Sequence, residues 1–348
     1  MSAGGISAVV LAGTHHWSGS SFERLAARPL VPVALSPLIS YSLRWLRKGG
    51  VRHATICANG TSRAIEAAFG DGGALKMDLS YYQDGTPRGA AGCVRDAGVR
   101  TGSETLVVTD GTAIPTVDLA ELLASHYASG AAVTAVVHRG HSLSAPPSPG
   151  GVYIFERWVL DRIPETGFQD IKENLIPKLH HAGERVVAHE TNGFCPHVLN
   201  APTYLAVNQW VLERLAQEGR DRGVELLVHS SAWVERGARL VGPVQLGARA
   251  RVQAGATIVG PTSIGAESTV GRNALVARSA VWSGCRVGEG SVVHGSVLGD
   301  DTVTLPGARL FNVVRPQEPT PPGPVSVSLR GRGRTTASHA THPGLALP

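Results

Sequence analysis

Apolar positions along the chain follow three successive patterns. Between residues 6 and about 220, short apolar runs alternate with helical patterns. From 228 to 310 an aliphatic residue recurs at every sixth position, and beyond 315 the patterning ends. In the first region Ala8-Val-Val-Leu-Ala12, followed by Gly13, lacks polar alternation and predicts a strand buried on both faces that runs into a loop. Runs at 54–58, 78–82, 105–109 and 133–138 predict further strands, with helical patterns such as 61–69 and 118–128 between them. Ser36-Pro37 predicts a helix start, since serine can cap and proline suits the first turn, and Gly49-Gly50 ends that helix. Ile39, Ser42, Leu43 and Leu46 share one of its faces. This alternation predicts an α/β domain with a doubly wound, mostly parallel Rossmann-like sheet that takes ligands at the C-terminal ends of its strands.

The second pattern runs through Val234, Leu240, Leu246, Val252, Ile258, Ile264, Val270 and Val276, often with a small residue next (Gly247, Gly265, Gly271). It continues, after a one-residue slip, through Val281, Val287, Val292 and Leu298 to Leu310. A period of six fits neither a helix, at 3.6, nor an alternating strand, at two. It fits a three-sided coil in which each hexad supplies one short strand with its aliphatic residue inward and small residues at the corner. Stacked coils pair nearly every backbone group with the coil above. The expected element is a left-handed parallel β-helix of hexapeptide repeats, with four to five coils of about 18 residues. The expected domains are 1–222 for the α/β part, 223–312 for the β-helix and 313–348 for a disordered tail rich in proline and then arginine.

Composition changes this picture little. Hydrophobic residues make up 43% and charged residues 17% of the 348 residues, so a packed core is expected. The net charge of +5 is spread along the chain, which suits phosphorylated metabolites and argues against nucleic acid as a partner. Cys57, Cys93, Cys195 and Cys285 are far apart and form no C-x-x-C pair, which points to a reducing compartment. The longest apolar run near the N-terminus is too short for a signal or membrane segment, so a cytoplasmic protein with no membrane partner is expected.

Five fragments occur in a telling order: Ala8-Val-Val-Leu-Ala-Gly13, Arg28-Pro-Leu-Val-Pro-Val33, Pro37-Leu-Ile-Ser-Tyr41, Phe69-Gly-Asp-Gly72 and Gly89-Ala-Ala-Gly92. With the β-helix behind them, they resemble the sugar-1-phosphate nucleotidyltransferases (NDP-sugar pyrophosphorylases) over roughly residues 6 to 310. The resemblance implies that Leu11, Ala12, Gly13, Gln83, Gly89, Ala90 and Gly92 bind the nucleotide, largely through backbone groups. It also implies that Gly151, in Gly150-Gly-Val-Tyr153, faces the sugar.

The family's phosphate loop reads G-G-x-G-T-R, because backbone N–H groups must approach phosphates whose charge an arginine offsets. Here that loop is Gly13-Thr-His-His-Trp-Ser18-Gly19, with Thr14 and His16 at glycine positions and Ser18 at the arginine. Arg28 stands where the family has a catalytic lysine, keeping the charge with another geometry. Of the two acids that hold magnesium in the family, counting back from Asp118 places Thr112 at the first, with Asp110 two residues early. Counting back from Tyr204 places His197 at the second and Cys195 at a family tryptophan.

Arg28 and Asp110 are thus the candidate catalytic residues, and Asp110 and His197 the candidate magnesium ligands, so no cofactor is expected unless Mg2+ serves an active enzyme. A softer-metal site of His15, His16 and His197 is a further alternative. A glutamate-lysine-proline segment that contacts sugar in the family has no counterpart.

Three functions follow. The first is a catalytically impaired family member that binds nucleotide or sugar nucleotide as a regulatory or assembly subunit, in a homo-oligomer or with a catalytic paralogue through the β-helix. The second is an active Mg-dependent enzyme making NDP-sugar and pyrophosphate. The third is a hexapeptide-repeat acyltransferase using His294, the histidine within the repeat.

Overall fold

The computed structural model describes residues 5–13, 22–58, 62–83, 85, 87–139, 147–221 and 227–316. The phosphate-loop residues Thr14, His15, His16 and Ser18, and nearly all of the expected tail, lie outside the described residues.

In chain order the α/β part contains β1 (Ile6–Leu11), β2 (Pro32–Val33), β3 (Ser36–Pro37), α1 (Ile39–Lys48), β4 (His53–Ala58), α2 (Ser62–Phe69) and β5 (Asp78–Gln83). There follow α3 (Gly89–Gly98), β6 (Thr105–Asp110), α4 (Leu119–Ser129), β7 (Val133–Arg139), β8 (Ser148–Glu156), α5 (Ile176–His181), β9 (Val186–Asn192) and α6 (Ala201–Asp221). Seven strands form one sheet in the order β5-β4-β1-β6-β8-β7-β9. β8 runs antiparallel to both β6 and β7, and the remaining pairs are parallel.

The central strands read as unbroken apolar runs because helices cover both faces. Ala8, Val10 and Ala12 of β1 pack with Ile39, Leu43 and Leu46 of α1 and with Leu119 and Leu122 of α4. Val9 points the other way, into Ala91 and Val94 of α3 and Leu175 and Leu179 near α5. The period of two along the strand thus sorts one sequence into two cores. Asp118 caps α4 by accepting from Ala120 N (2.9 Å) and Glu121 N (3.2 Å). Gly49, at the end of α1, touches the start of α4: a Cβ there would lie 2.4 Å from Leu119 Cδ2.

Ser36-Pro37 does not open a helix. It is the second strand of a hairpin, with Pro32 opposite Pro37 and Val33 opposite Ser36, and α1 starts only at Ile39 without a side-chain cap. The hairpin wins because Leu38 N donates to Val31 O (3.0 Å), which fixes the chain before the helix begins. Its two-residue turn holds Ala34 at φ 42° and Leu35 at φ 60°. Left-handed backbone costs an L-residue roughly 1–2 kcal/mol.

Residues 227–315 form a left-handed parallel β-helix with three sheets, one per face. Trp233 pairs with Arg251 and Thr257 with Leu275, eighteen positions on, as the hexads require. From Ser263 the coil shortens to seventeen, since Ser263 pairs with Ala280 and Val292 with Arg309. Up to Leu310, the expected single slip is therefore one of two. The inward residue of the later coil is the fully buried Val293, while Val292 sits partly exposed. Both omitted residues come from one corner, where Gly260-Pro261 in an earlier coil is followed by the tighter Arg278-Ser279 and Gly295-Ser296.

The interior is a column of Leu246, Val252, Ile258, Ile264, Val270, Val276, Val281, Val287 and Leu298. Gly265 at a corner is required by close stacking, because a Cβ would lie 2.4 Å from the Trp282 carbonyl carbon. The last pairing, Val314–Arg315 with Val297–Leu298, falls within the stretch expected as tail.

No gap in packing separates the two parts. Val207, Val211 and Leu212 of α6 share a core with Ala280, Trp282 and Val297 of the β-helix, so the described residues form one compact unit. Among the described residues no helix is long and apolar enough to cross a membrane.

Candidate functional site

The C-terminal ends of β1 and β6 lie side by side, with Leu11 opposite Asp110. Leu11 O accepts from Gly111 N (2.9 Å) and Ala12 N donates to Cys57 O (2.7 Å), so these two groups are held within the sheet at the mouth of the loop that starts at Gly13. Asp110 ends β6 and turns back on its own chain. Its Oδ1 accepts from Thr112 N (2.8 Å) and from Thr112 Oγ1 (2.7 Å). Its Oδ2 lies 3.3 Å from His197 Nε2. His197 Nε2 is also 3.0 Å from Thr112 Oγ1. Since the threonine hydroxyl donates to Asp110, the network requires His197 Nε2 to carry the proton that bridges both oxygens.

Long-range pairing brings His197 there. Ala113 forms an antiparallel bridge with His197, Ile114 N donates to Pro196 O (2.9 Å) and Val198 N to Thr112 O (2.9 Å). Burial alone would raise the Asp110 carboxyl, but the hydrogen bond and charge of His197 and the two bonds from Thr112 outweigh it. The carboxyl is held below its ordinary value.

Gly151 adjoins this cluster at φ 70°, and a Cβ there would lie 3.1 Å from Asp110 Cβ. Burial pushes the nearby Tyr153 phenol well above its usual value, with the charges of Asp170 and Asp110 adding to the effect. Burial lowers the Arg28 guanidinium to about 10, against the opposing charges of Asp110 and Glu23, and it remains a cation at neutral pH. The structure therefore gathers Asp110, Thr112, Gly151 and His197, with Arg28 near enough to feel the Asp110 charge. The resemblance had put Asp110 and His197 near the two acids of one magnesium site, but not their direct contact or the part that Thr112 plays in it.

The nucleoside-side candidates are placed differently. Gln83 is exposed at the end of β5. Gly89 is buried at φ 75°, and a Cβ there would lie 2.4 Å from Gln169 O. That same carbonyl accepts from Ala91 N (3.0 Å) and Gly92 N (3.4 Å), so it occupies donors at the N-terminus of α3. A Cβ on Gly92 would meet Arg88 Cβ at 2.6 Å. Internal packing thus requires small residues at both glycines, and Ala90 between them is half-buried. Cys195 Sγ lies 3.8 Å from Pro149 O, and burial raises its thiol. His294 is exposed on the outside of the β-helix, stacked between Ala277 and Phe311 of neighbouring coils.

Comparison with known proteins points the same way as the sequence resemblance. A family model described as nucleotidyl transferase matches residues 22–146. Mannose-1-phosphate guanylyltransferase of Mycobacterium tuberculosis is 25% identical over 272 residues, covering 70% of this chain and 76% of the relative. UTP–glucose-1-phosphate uridylyltransferase of Synechocystis is 24% identical over 329 residues, covering 82% and 80%. Glucose-1-phosphate thymidylyltransferase of Streptomyces griseus is 26% identical over 280 residues, covering 70% and 78%. The chain is similar to the sugar-1-phosphate nucleotidyltransferases.

The magnesium ion that this likeness implies can be tested against the residues present. Magnesium takes six hard oxygens in a strict octahedron and is usually held by one or two carboxylates together with water and phosphate. In this chain the one carboxylate at the position has Oδ1 engaged twice by Thr112 and Oδ2 facing the N–H of His197. Among the described residues no group of three or more His, Cys, Asp or Glu could hold a metal. The described residues do not fit a magnesium site.

Proposed function

We propose that the chain binds a nucleotide or sugar nucleotide at the C-terminal ends of β1 and β6, is impaired in nucleotidyl transfer, and works as a regulatory or assembly subunit. Its proposed partners are copies of itself or a catalytic paralogue, joined through the β-helix. The observation that carries this reading is the engagement of both Asp110 oxygens by Thr112 and His197. Transfer to a sugar phosphate crowds negative oxygens together, and a metal normally offsets them. An aspartate whose lone pairs already serve a threonine and a histidine is poorly placed to hold one.

The remaining groups suit retention of an anionic ligand. Arg28 is a half-buried cation that feels the Asp110 charge, and Gly151, lacking a side chain, packs closely beside Asp110. Thermal shifts with GDP-mannose, UDP-glucose and dTDP-glucose, each with Mg2+ and with EDTA, test this. The expected result is stabilisation by at least one of them of similar size in both conditions. No shift with any would remove the binding reading.

A second reading, an active Mg-dependent enzyme, is favoured by three relatives whose names are those of transferases. It requires Asp110 to leave Thr112 and His197 when substrate binds, and binding that collapses in EDTA would favour it.

A further inference from the structure

Two hydrogen-bonded paths leave the β-helix and converge on the hairpin that follows Arg28. In the first, Trp282 Nε1 donates to Tyr204 Oη (2.9 Å), and that hydroxyl donates to Pro32 O (2.6 Å). In the second, Asn208 Nδ2 donates to Ser263 Oγ (3.3 Å), while Asn208 Oδ1 accepts from Ala34 N (2.8 Å). Tyr204 and Asn208 stand one turn apart on α6, and both are fully buried. Trp282 and Ser263 lie on the β-helix face that α6 covers and are almost fully buried.

The hairpin needs such a hold. Ala34 and Leu35 both have positive φ, the geometry of a type I′ turn, which ordinarily takes Asn-Gly because L side chains resist it. The Asn208 carboxamide bonds to the backbone at the first of these strained residues, and Tyr204 bonds to the strand two residues before it. Buried polar groups that satisfy one another specify a single geometry, which apolar packing alone does not. The hairpin is continuous with the turn Arg28–Leu30, closed by Leu30 N on Ala27 O (2.8 Å) and Val31 N on Arg28 O (3.3 Å).

We infer that Tyr204 and Asn208 are positioning residues of the site. They fix the Pro32–Pro37 hairpin to the β-helix and thereby hold the Arg28 turn, with its guanidinium, within the field of Asp110. The β-helix is then part of the machinery that shapes the ligand site as well as a surface for assembly. The functional half of this inference rests on the reading of Arg28 as a ligand-facing residue; the structural half stands without it.

The test uses the full chain as wild type, Asn208→Ala, Trp282→Phe, and Asn208→Ala combined with Ala34→Gly. Hydrogen exchange is followed in peptides spanning 28–38 and, as a reference, 105–110, and binding is read with UDP-glucose and GDP-mannose as probes. The expected result for Asn208→Ala is exchange about tenfold faster in 28–38 than any change in 105–110, with affinity for a binding probe about fivefold weaker. Ala34→Gly accepts the positive φ without strain, so the double variant is expected to regain most of the protection and the affinity. A merely structural role would show the local loosening and its rescue with the affinity unchanged.

Trp282→Phe keeps the ring, removes the first donor, and gives the same pattern in milder form; it carries the test if Asn208→Ala fails to fold. Equal acceleration in both peptides, or no rescue by Ala34→Gly, overturns the inference. Local loosening in a protein whose wild type binds neither probe leaves the structural half standing and sinks the ligand-site reading instead.

Discussion

Thr112→Val isolates the hydroxyl at the centre of the site while keeping its volume and branching. That hydroxyl donates to Asp110 Oδ1 at 2.7 Å and accepts from His197 at 3.0 Å, within a residue only 3% exposed. A hydrogen bond to an ionised acceptor contributes about 1.5–3 kcal/mol. The Asp110 side chain keeps 31% exposure and its bond from Thr112 N, so water and backbone recover part of the loss. The expected net destabilisation at pH 7 is about 1–2 kcal/mol.

The pH dependence follows from the depressed Asp110 carboxyl. A folded-state value below the unfolded one gives stability that is complete above the unfolded value of about 4 and is lost as pH falls through the folded value. The variant lacks one of the groups that depress it, so the gap between wild type and variant should be full at pH 7 and shrink in the acid range. Urea unfolding of both proteins, from pH 7 down to the lowest pH at which the fold persists, measures the gap. A gap unchanged across that range, or one under about 0.3 kcal/mol at pH 7, would refute the reasoning.

Three other substitutions or probes follow from the packing. Gly265→Ala forces a methyl to within 2.4 Å of the next coil's backbone, which cannot rotate away, so a loss of at least about 2 kcal/mol is expected in thermal melts, against almost none for Gly307→Ala's open space apart from its φ strain. Gly49→Ala drives a methyl into Leu119 at an otherwise ordinary φ of −75°, and is expected to cost about 1–3 kcal/mol in urea unfolding. Burial pushes the Cys285 thiol up to about 12, with bonds from backbone groups opposing and Asp300 and Asp301 adding. In a Cys93→Ser/Cys195→Ser background, Ellman's reagent at pH 8 should therefore find no fast-reacting thiol until the protein is unfolded.

Much of the architecture was legible because it is written in local periods. Ala8–Ala12 and Thr105–Asp110 are short apolar runs whose both-face burial leaves little alternative to central parallel strands. The aliphatic column from Leu246 to Val276 keeps six-residue spacing because each residue fills one face of one coil. The second slip was invisible because Val292 and Val293 are both β-branched and apolar, and only the tighter Gly295-Ser296 corner decides which points inward. Ser36-Pro37 misled because its local chemistry suits a helix start equally well, while the pairing with Pro32-Val33 and the Leu38–Val31 bond decide otherwise.

The site's geometry is non-local, so only the family resemblance could put Asp110 and His197 in one place. Asp110 and His197 meet only through the bridge between 113 and 197, which leaves no trace in either segment's pattern. Tyr204 served the sequence reading as a counting mark, and Asn208 sits among ordinary helical polar residues. Their roles appear only when α6 is seen between the hairpin and the β-helix. A buried asparagine on the apolar face of a helix, in step with Tyr204, Val207 and Val211, was the available signal.

The most direct test is pyrophosphate release by the purified chain with each of GTP, UTP and dTTP, mannose-1-phosphate or glucose-1-phosphate, and Mg2+, alongside an active relative under the same conditions. With Asp110 committed to Thr112 and His197, release should remain at the level of a Mg2+-free control. Turnover comparable to the active relative's with any substrate pair would contradict the impaired-site reading.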